Sequence, residues 1–263
     1  MRWKWYDSRG RPEPRLQDAY PLLFALGAVA GLLWSGLVSG GQTPLKGTRI
    51  TPVQALDAGL VALAAGLVGA RAGHVASTWD YYSHRPQEAL WFWQGGLSWS
   101  AGAAGTLLGL GLYSGISRQA FWQLADRLAI PAALVALAAW GGCMLDGCSY
   151  GWRTTAGALT PPAPDLLGNL APRWPTQPVG VIASLASLAG LISLGGRPLP
   201  QGTLACLSLT MIAAISVALS FTRADPTRML WGMRLDGLAS GAVLALGLAG
   251  LGFRLLQRPR RAA

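Results

Sequence analysis

The sequence predicts an all-α protein, a polytopic membrane bundle of about seven transmembrane helices with one longer polar loop. Three observations carry this reading. Of 263 residues, 12% are charged and 52% hydrophobic, against roughly 25% charged in a soluble domain. The mean hydropathy is +0.37. The apolar residues gather into runs of about 20, the length a helix needs to cross a hydrocarbon core. Seven such runs leave only short connections, so one integral membrane domain over 1–263 is expected. A polar tail at 1–19 and a basic tail at 257–263 flank it. The 35 glycines and 12 tryptophans agree: glycine lets apolar helices approach closely, and Trp favours the headgroup level.

The first span is expected from Tyr20 to Ser39, ended by Gly40, Gly41 and Pro44. The tail before it holds Asp7, Glu13 and Asp18 and has no small-residue cleavage pattern, so it reads as a retained span. The second runs from Pro52 to about Gly73, with Asp57 and Arg71 near its ends, where long side chains can snorkel. The third opens on an aromatic girdle, Trp91, Phe92 and Trp93, and ends near Gly115. The fourth runs from Leu128 to Leu145 with Pro131 near its start. From Asp146 to Pro178 the composition shifts to Gly, Pro, Thr and Arg, the longest polar excursion. Val179 to Leu194, Leu204 to Phe221 and Leu235 to Leu256 complete the set.

The formal charge of +10 would suggest nucleic acid in a soluble chain. Here the basic residues lie between apolar spans, so anionic lipid headgroups account for them and no nucleic-acid partner is expected. They divide almost evenly between the two faces, which leaves orientation open. Cys143, Cys148 and Cys206 make no disulfide framework. On a continuous helix a spacing of five does not stack Cys143 on Cys148, so both read as small buried residues. The two histidines, His74 and His84, have no partners at ligand spacing, and no metal site is expected.

Three stretches are too polar for their surroundings: 69–74, 140–154 and 220–226. They carry Arg71, His74, Asp146, Arg153 and Arg223, and Arg173 lies further along the polar segment. Charges at membrane depth are commonly functional or paired. An arginine fork fits a phosphate, which makes an anionic lipid the natural ligand. The alternative is that these arginines anchor span ends.

Taken in order, these stretches resemble the motifs of bacterial prolipoprotein diacylglyceryl transferases. The resemblance lies in Gly69-Ala70-Arg71, Asp80-Tyr81-Tyr82, Pro86, Glu88 and Trp93-Gln94-Gly95-Gly96-Leu97-Ser98. It continues in 142–151 (GCMLDGCSYG), Pro172 to Gln177 and Phe221 to Pro226. Signature positions are Gly95, Gly96, Cys143, Gly147 and Gly151.

The resemblance implies a multi-pass protein of the bacterial plasma membrane, its N-terminus and the 146–178 segment outside the cytoplasm. It implies transfer of the diacylglyceryl group of phosphatidylglycerol to the lipobox cysteine thiol in a preprolipoprotein signal peptide, with no cofactor. Arg71, Arg173 and Arg223 are then the lipid phosphate-binding candidates. The catalytic candidates are His74, Ser100 and Asp146, because the chain departs from the pattern where chemistry is carried. Ser100 stands where the family has a histidine, Trp140 where it has an arginine, and Ser216 and Ser220 where it has an arginine and a glutamate. A serine hydroxyl near neutral pH is neither a base nor a cation. Two rivals are a non-catalytic lipid- or lipoprotein-binding homologue and a small-solute transporter. A transporter would want paired charges in its spans and broken helices in matching halves, and the sequence shows neither.

Overall fold

A computed structural model describes residues 19–40, 50–92, 95–155, 157, 159–160, 162–165 and 169–256. Both tails, with their basic clusters, and Lys46, Arg49 and Trp93 lie outside these residues. Helices occupy the expected spans: α1 (Ala19–Gly40), α2 (Pro52–Ser77), a short α3 (Trp79–Tyr82), α4 (Trp99–Ser117), α5 (Phe121–Asp146), α6 (Thr176–Gly195), α7 (Thr203–Ser220) and α8 (Leu235–Leu256). Two small hairpins interrupt them, β1 (Pro162–Pro164) with β2 (Leu170–Pro172), and β3 (Met229–Leu230) with β4 (Met233–Arg234). Among the described residues six helices, α1, α2, α5, α6, α7 and α8, are long and apolar enough to cross a membrane, which makes this a polytopic helical bundle. The seventh expected span, α4, has 19 residues, but its Gly and Ser content keeps it less apolar.

Helix α4 packs chiefly on α2, and small residues make the approach possible. A Cβ on Gly69 would lie 2.7 Å from the Ala101 carbonyl oxygen and 3.0 Å from Gly105 Cα. Helix α5 is the hub, touching α1, α2, α4, α6 and α7. Its Leu124 and Ala125 join Ile50, Ala55, Ala58 and Leu110 in one core cluster, and Ala129, Ile130 and Ala133 join Leu188, Leu191 and Leu204 in another.

Two boundaries differ from expectation for physical reasons. Helix α5 begins seven residues before Leu128, because its charges are absorbed internally: the Asp126 carboxylate accepts the backbone N–H of Gly202 at 2.6 Å and of Ala205 at 2.8 Å. It caps α7, where an anion meets the positive helix end. Pro131 is therefore interior, with Gly31 of α1 packed against its ring. Helix α4 begins at Trp99 rather than near Trp91, because Gly95 and Gly96 adopt φ of +80° and +74° and break any helix there.

Candidate functional site

The N-terminal ends of α1, α4, α6 and α8 meet the C-terminal ends of α2, α5 and α7, and the polar stretches converge there. The last turns of α2 supply Arg71 and His74. Arg71 does not snorkel. It is 4% exposed, and its guanidinium donates to the carbonyls of Glu88 (2.6 Å), Ala89 (2.8 Å), Gly95 (2.6 Å) and Gly96 (3.2 Å). One buried cation thereby folds the 3₁₀ turn Pro86–Leu90 and the 95–96 loop around the end of α2. A cleft of about 400 Å³ remains between them, lined by Arg71, His74, Thr78, Tyr81, Tyr82, Glu88, Gly95 and Gly96.

Inside the cleft several polar groups are fixed, and one imidazole is not. The Tyr81 hydroxyl donates to Glu88 Oε2 at 2.5 Å, and the Arg71 guanidinium lies 5.2 Å from the centre of the Tyr82 ring. The His74 ring meets Tyr82 edge-on at 6.0 Å, yet among the described residues neither of its nitrogens has a hydrogen-bond partner. Its Nε2 lies 2.5 Å from where a Cβ on Gly96 would stand. Only glycine at 96 admits the imidazole at the cleft wall. On the other side of Gly95 is an apolar cavity of about 420 Å³, lined by Tyr20, Pro21, Phe24, Ala64, Leu67, Val68, Phe92, Gly95 and Leu97. Polar cleft and apolar cavity thus share Gly95, an arrangement suited to an amphipathic ligand.

The segment after α5 forms the neighbouring scaffold. Gly147 (φ +72°) and Ser149 (φ +53°) turn the chain back on itself. The turn joins Cys143 to Cys148 in a disulfide, with Cα atoms 4.6 Å apart. This corrects the expectation of two small, unjoined cysteines: the helix is not continuous between them but stops at Asp146. The Asp146 carboxylate accepts the Tyr20 backbone N–H at 2.8 Å, capping α1 rather than facing the cleft. Cys148 offers its carbonyl to Gln177 Nε2 at 2.9 Å, and Gly151 pairs with Arg223. A Cβ on Gly151 would meet Thr176 Oγ1 at 2.8 Å.

Arg173 and Arg223 belong to this scaffold. Arg173, 3% exposed, donates to the carbonyls of Ala163 (3.1 Å) and Gly151 (3.4 Å) and pairs with Asp165 at 3.0 Å. Its guanidinium also lies 4.6 Å from the centre of the Tyr150 ring. Arg223 pairs with Asp225 and, at 3.0 Å, with Asp236, while Arg234 bridges the same two carboxylates at 3.3 and 3.1 Å. Burial alone would lower the pKa of Arg223, but the hydrogen bond and charge of Asp225, with the charge of Asp236, hold it above the ordinary arginine value. All three arginines assigned by the resemblance to a lipid phosphate thus have partners within the chain. Only Arg71 borders the cleft.

Ser100 shares a 3.2 Å hydrogen bond with Ser98 beside the start of α4. Tyr81, Tyr82 and Glu88 stand in the resemblance motifs without an assigned role, and the structure makes them cleft walls. Among the described residues no three His, Cys, Asp or Glu side chains gather as metal ligands.

The family profile described as prolipoprotein diacylglyceryl transferase matches residues 17–253. A phosphatidylglycerol–prolipoprotein diacylglyceryl transferase of Dehalococcoides mccartyi is 31% identical over 214 residues, covering 78% of this chain and 77% of that protein. The one from Nitratidesulfovibrio vulgaris is 30% identical over 251 residues, covering 93% and 90%. The one from Symbiobacterium thermophilum is 25% identical, covering 91% and 94%. The chain belongs to the prolipoprotein diacylglyceryl transferase family. The membership fits its six membrane-capable helices and a multi-pass place in the bacterial plasma membrane. The residues at the positions where the resemblance implies other side chains have contacts of their own. The Trp140 indole lies flat against Gly180, where a Cβ would stand 2.8 Å from ring atom Cε2, so an apolar ring fills that helix contact. The hydroxyls of Ser216 and Ser220 donate to carbonyls of their own helix, Ile212 at 2.9 Å and Val217 at 2.7 Å.

Proposed function

We propose that the protein transfers the diacylglyceryl group of phosphatidylglycerol to the lipobox cysteine of a preprolipoprotein, with His74 as the base and a rate below that of relatives holding the full motif set. The observation that carries the reading is the unpartnered His74 imidazole in a polar cleft that shares Gly95 with an apolar cavity. An acyl chain fits the cavity and the glycerophosphate end fits the cleft. The substrate sulfur forms a C–S bond to the glyceryl carbon as the C–O bond to phosphate breaks. The thiol proton passes to His74, and glycerol phosphate leaves with the bonding pair. Arg71 sets a positive potential at the cleft wall, while Arg173 and Arg223 hold the scaffold beside it. Ser100, turned to Ser98, takes no proton.

The chain is read as a single membrane domain with seven spans, its N-terminus and segment 146–178 outside the cytoplasm. The Cys143–Cys148 disulfide supports that side, since disulfides persist in oxidising compartments. The reduced rate follows from what positions 100, 140, 216 and 220 lack. Each missing contact to developing phosphate charge costs about 2.7–4 kcal/mol if it resembles a lost oxyanion donor. A lipid-binding homologue without turnover is the second reading, favoured by the self-bonded Ser216 and Ser220. Incubation of the purified protein with phosphatidylglycerol and a lipobox peptide, followed by the peptide's mass, tests the two. Slow gain of a diacylglyceryl group supports transfer, and binding without any gain supports the homologue.

A further inference from the structure

Beside the cleft, against its wall residue Tyr81, stands a cation whose donors are less committed than those of Arg71, Arg173 and Arg223. Arg71 uses Nε, Nη1 and Nη2 on four carbonyls, and Arg173 and Arg223 are tied to carboxylates. Arg85 is different. It sits exposed between α3 and the 3₁₀ turn, and the one hydrogen bond of its side chain among the described residues runs from Nη1 to the Tyr81 hydroxyl at 2.9 Å. Its guanidinium lies over the Tyr81 ring, 4.9 Å from the centre. Tyr81 is in turn held by Glu88, and both line the cleft. A side chain that would otherwise swing freely is thereby stacked on a wall residue of the cleft, with Nε and Nη2 unused among the described residues. Arg228, on the connection between α7 and α8, stands 3.9 Å from the exposed Asp80 carboxylate, which offsets its charge, whereas the Glu88 carboxylate is one hydroxyl removed from Arg85, across Tyr81.

We infer that Arg85 reads the phosphodiester of the donor lipid at the cleft mouth and sets the preference for an anionic headgroup. The inference rests on the reading of the cleft as a lipid-headgroup site, and it adds the residue that selects the headgroup. A planar guanidinium offers two parallel donors to two phosphate oxygens. The stacking on Tyr81 lowers the cost of ordering it, because the fork is already placed before the lipid arrives. The phosphate would then sit at the rim, leaving the glyceryl carbon to extend inward toward His74.

The test measures binding apart from turnover. The purified full chain in neutral detergent is titrated with short-chain phosphatidylglycerol, short-chain phosphatidylcholine and inorganic phosphate, and the same preparations are assayed for KM and kcat with a lipobox peptide. The wild type is expected to prefer phosphatidylglycerol over phosphatidylcholine. Arg85→Ala should weaken phosphatidylglycerol binding about tenfold and raise KM with kcat nearly held, while Arg85→Lys recovers part of the loss. Arg118→Ala, at the far end of α4, controls for loss of one positive charge. Three results overturn the inference: Arg85→Ala binding phosphatidylglycerol like wild type, Arg118→Ala losing as much, or inorganic phosphate competing with comparable affinity. Binding selectivity that depends on Arg85 without any transfer to the peptide would refute the transferase reading and leave this inference standing.

Discussion

Alanine at Gly95 and at Gly96 separates backbone strain from collision at the centre of the site. Both glycines have left-handed φ, +80° and +74°, where an L-residue costs roughly 1–2 kcal/mol. At Gly95 an added Cβ meets nothing within 4 Å, so strain is the whole effect. At Gly96 the Cβ falls 2.5 Å from His74 Nε2, 2.7 Å from its Cδ2 and 3.0 Å from Arg71 Nη1. The imidazole must leave its place, and Arg71 must loosen its bonds to the Gly95 and Gly96 carbonyls. A hydrogen bond from a charged donor is worth about 1.5–3 kcal/mol. Gly96→Ala should therefore lose about 2–3 kcal/mol beyond the strain that Gly95→Ala also bears. If the same displacement is felt in the transition state, transfer falls roughly 100-fold. Thermal unfolding in detergent and initial transfer rates to a lipobox peptide measure the two parts. Equal losses of rate in the two variants, or a Gly96→Ala protein with the wild-type rate, would refute the placement of His74.

Three more outcomes follow from the scaffold. Replacing Cys143 and Cys148 together by alanine opens a six-residue loop, and chain entropy then predicts a loss of about 2 kcal/mol, read as a lower unfolding midpoint that a reducing agent reproduces in the wild type and leaves unchanged in the variant. Asp146→Ala removes the cap from Tyr20 and should cost about 1 kcal/mol, seen as faster hydrogen exchange in the first turn of α1. Arg223→Ala leaves Asp225 and Asp236 with Arg234 alone and should cost about 3 kcal/mol. Because the folded pKa of Arg223 is raised, its stabilisation is complete below the unfolded arginine value and lost only as pH rises past the folded one. The destabilisation should therefore be the same at pH 6 and pH 9.

The spans were legible because hydropathy is a local property, summed over residues that need no knowledge of their neighbours. The start of α5 was not, since Asp126 looks like the end of an apolar run until the open N-terminus of α7 is brought to it. The disulfide was hidden for a similar reason: spacing on a helix separates Cys143 from Cys148, and only the left-handed Gly147 reverses the chain. Candidate arginines could be found as charges out of place. Their partners could not, because Arg71 is held by backbone carbonyls, which every sequence contains and none advertises. Tyr81 and Glu88 lay in the resemblance motifs, yet their mutual hydrogen bond depends on a seven-residue return through the 3₁₀ turn that Arg71 fixes.

The proposed transfer has His74 as its base in place of the histidine that the resemblance implies at position 100. The most direct measurement is the rate of diacylglyceryl transfer from phosphatidylglycerol to a lipobox peptide, followed by peptide mass, for wild type, His74→Ala and Ser100→Ala in parallel. The account predicts measurable transfer by the wild type, its loss in His74→Ala with phosphatidylglycerol binding retained, and a Ser100→Ala rate within a few-fold of wild type. Transfer that survives in His74→Ala would contradict it, as would a wild-type protein that never adds mass to the peptide.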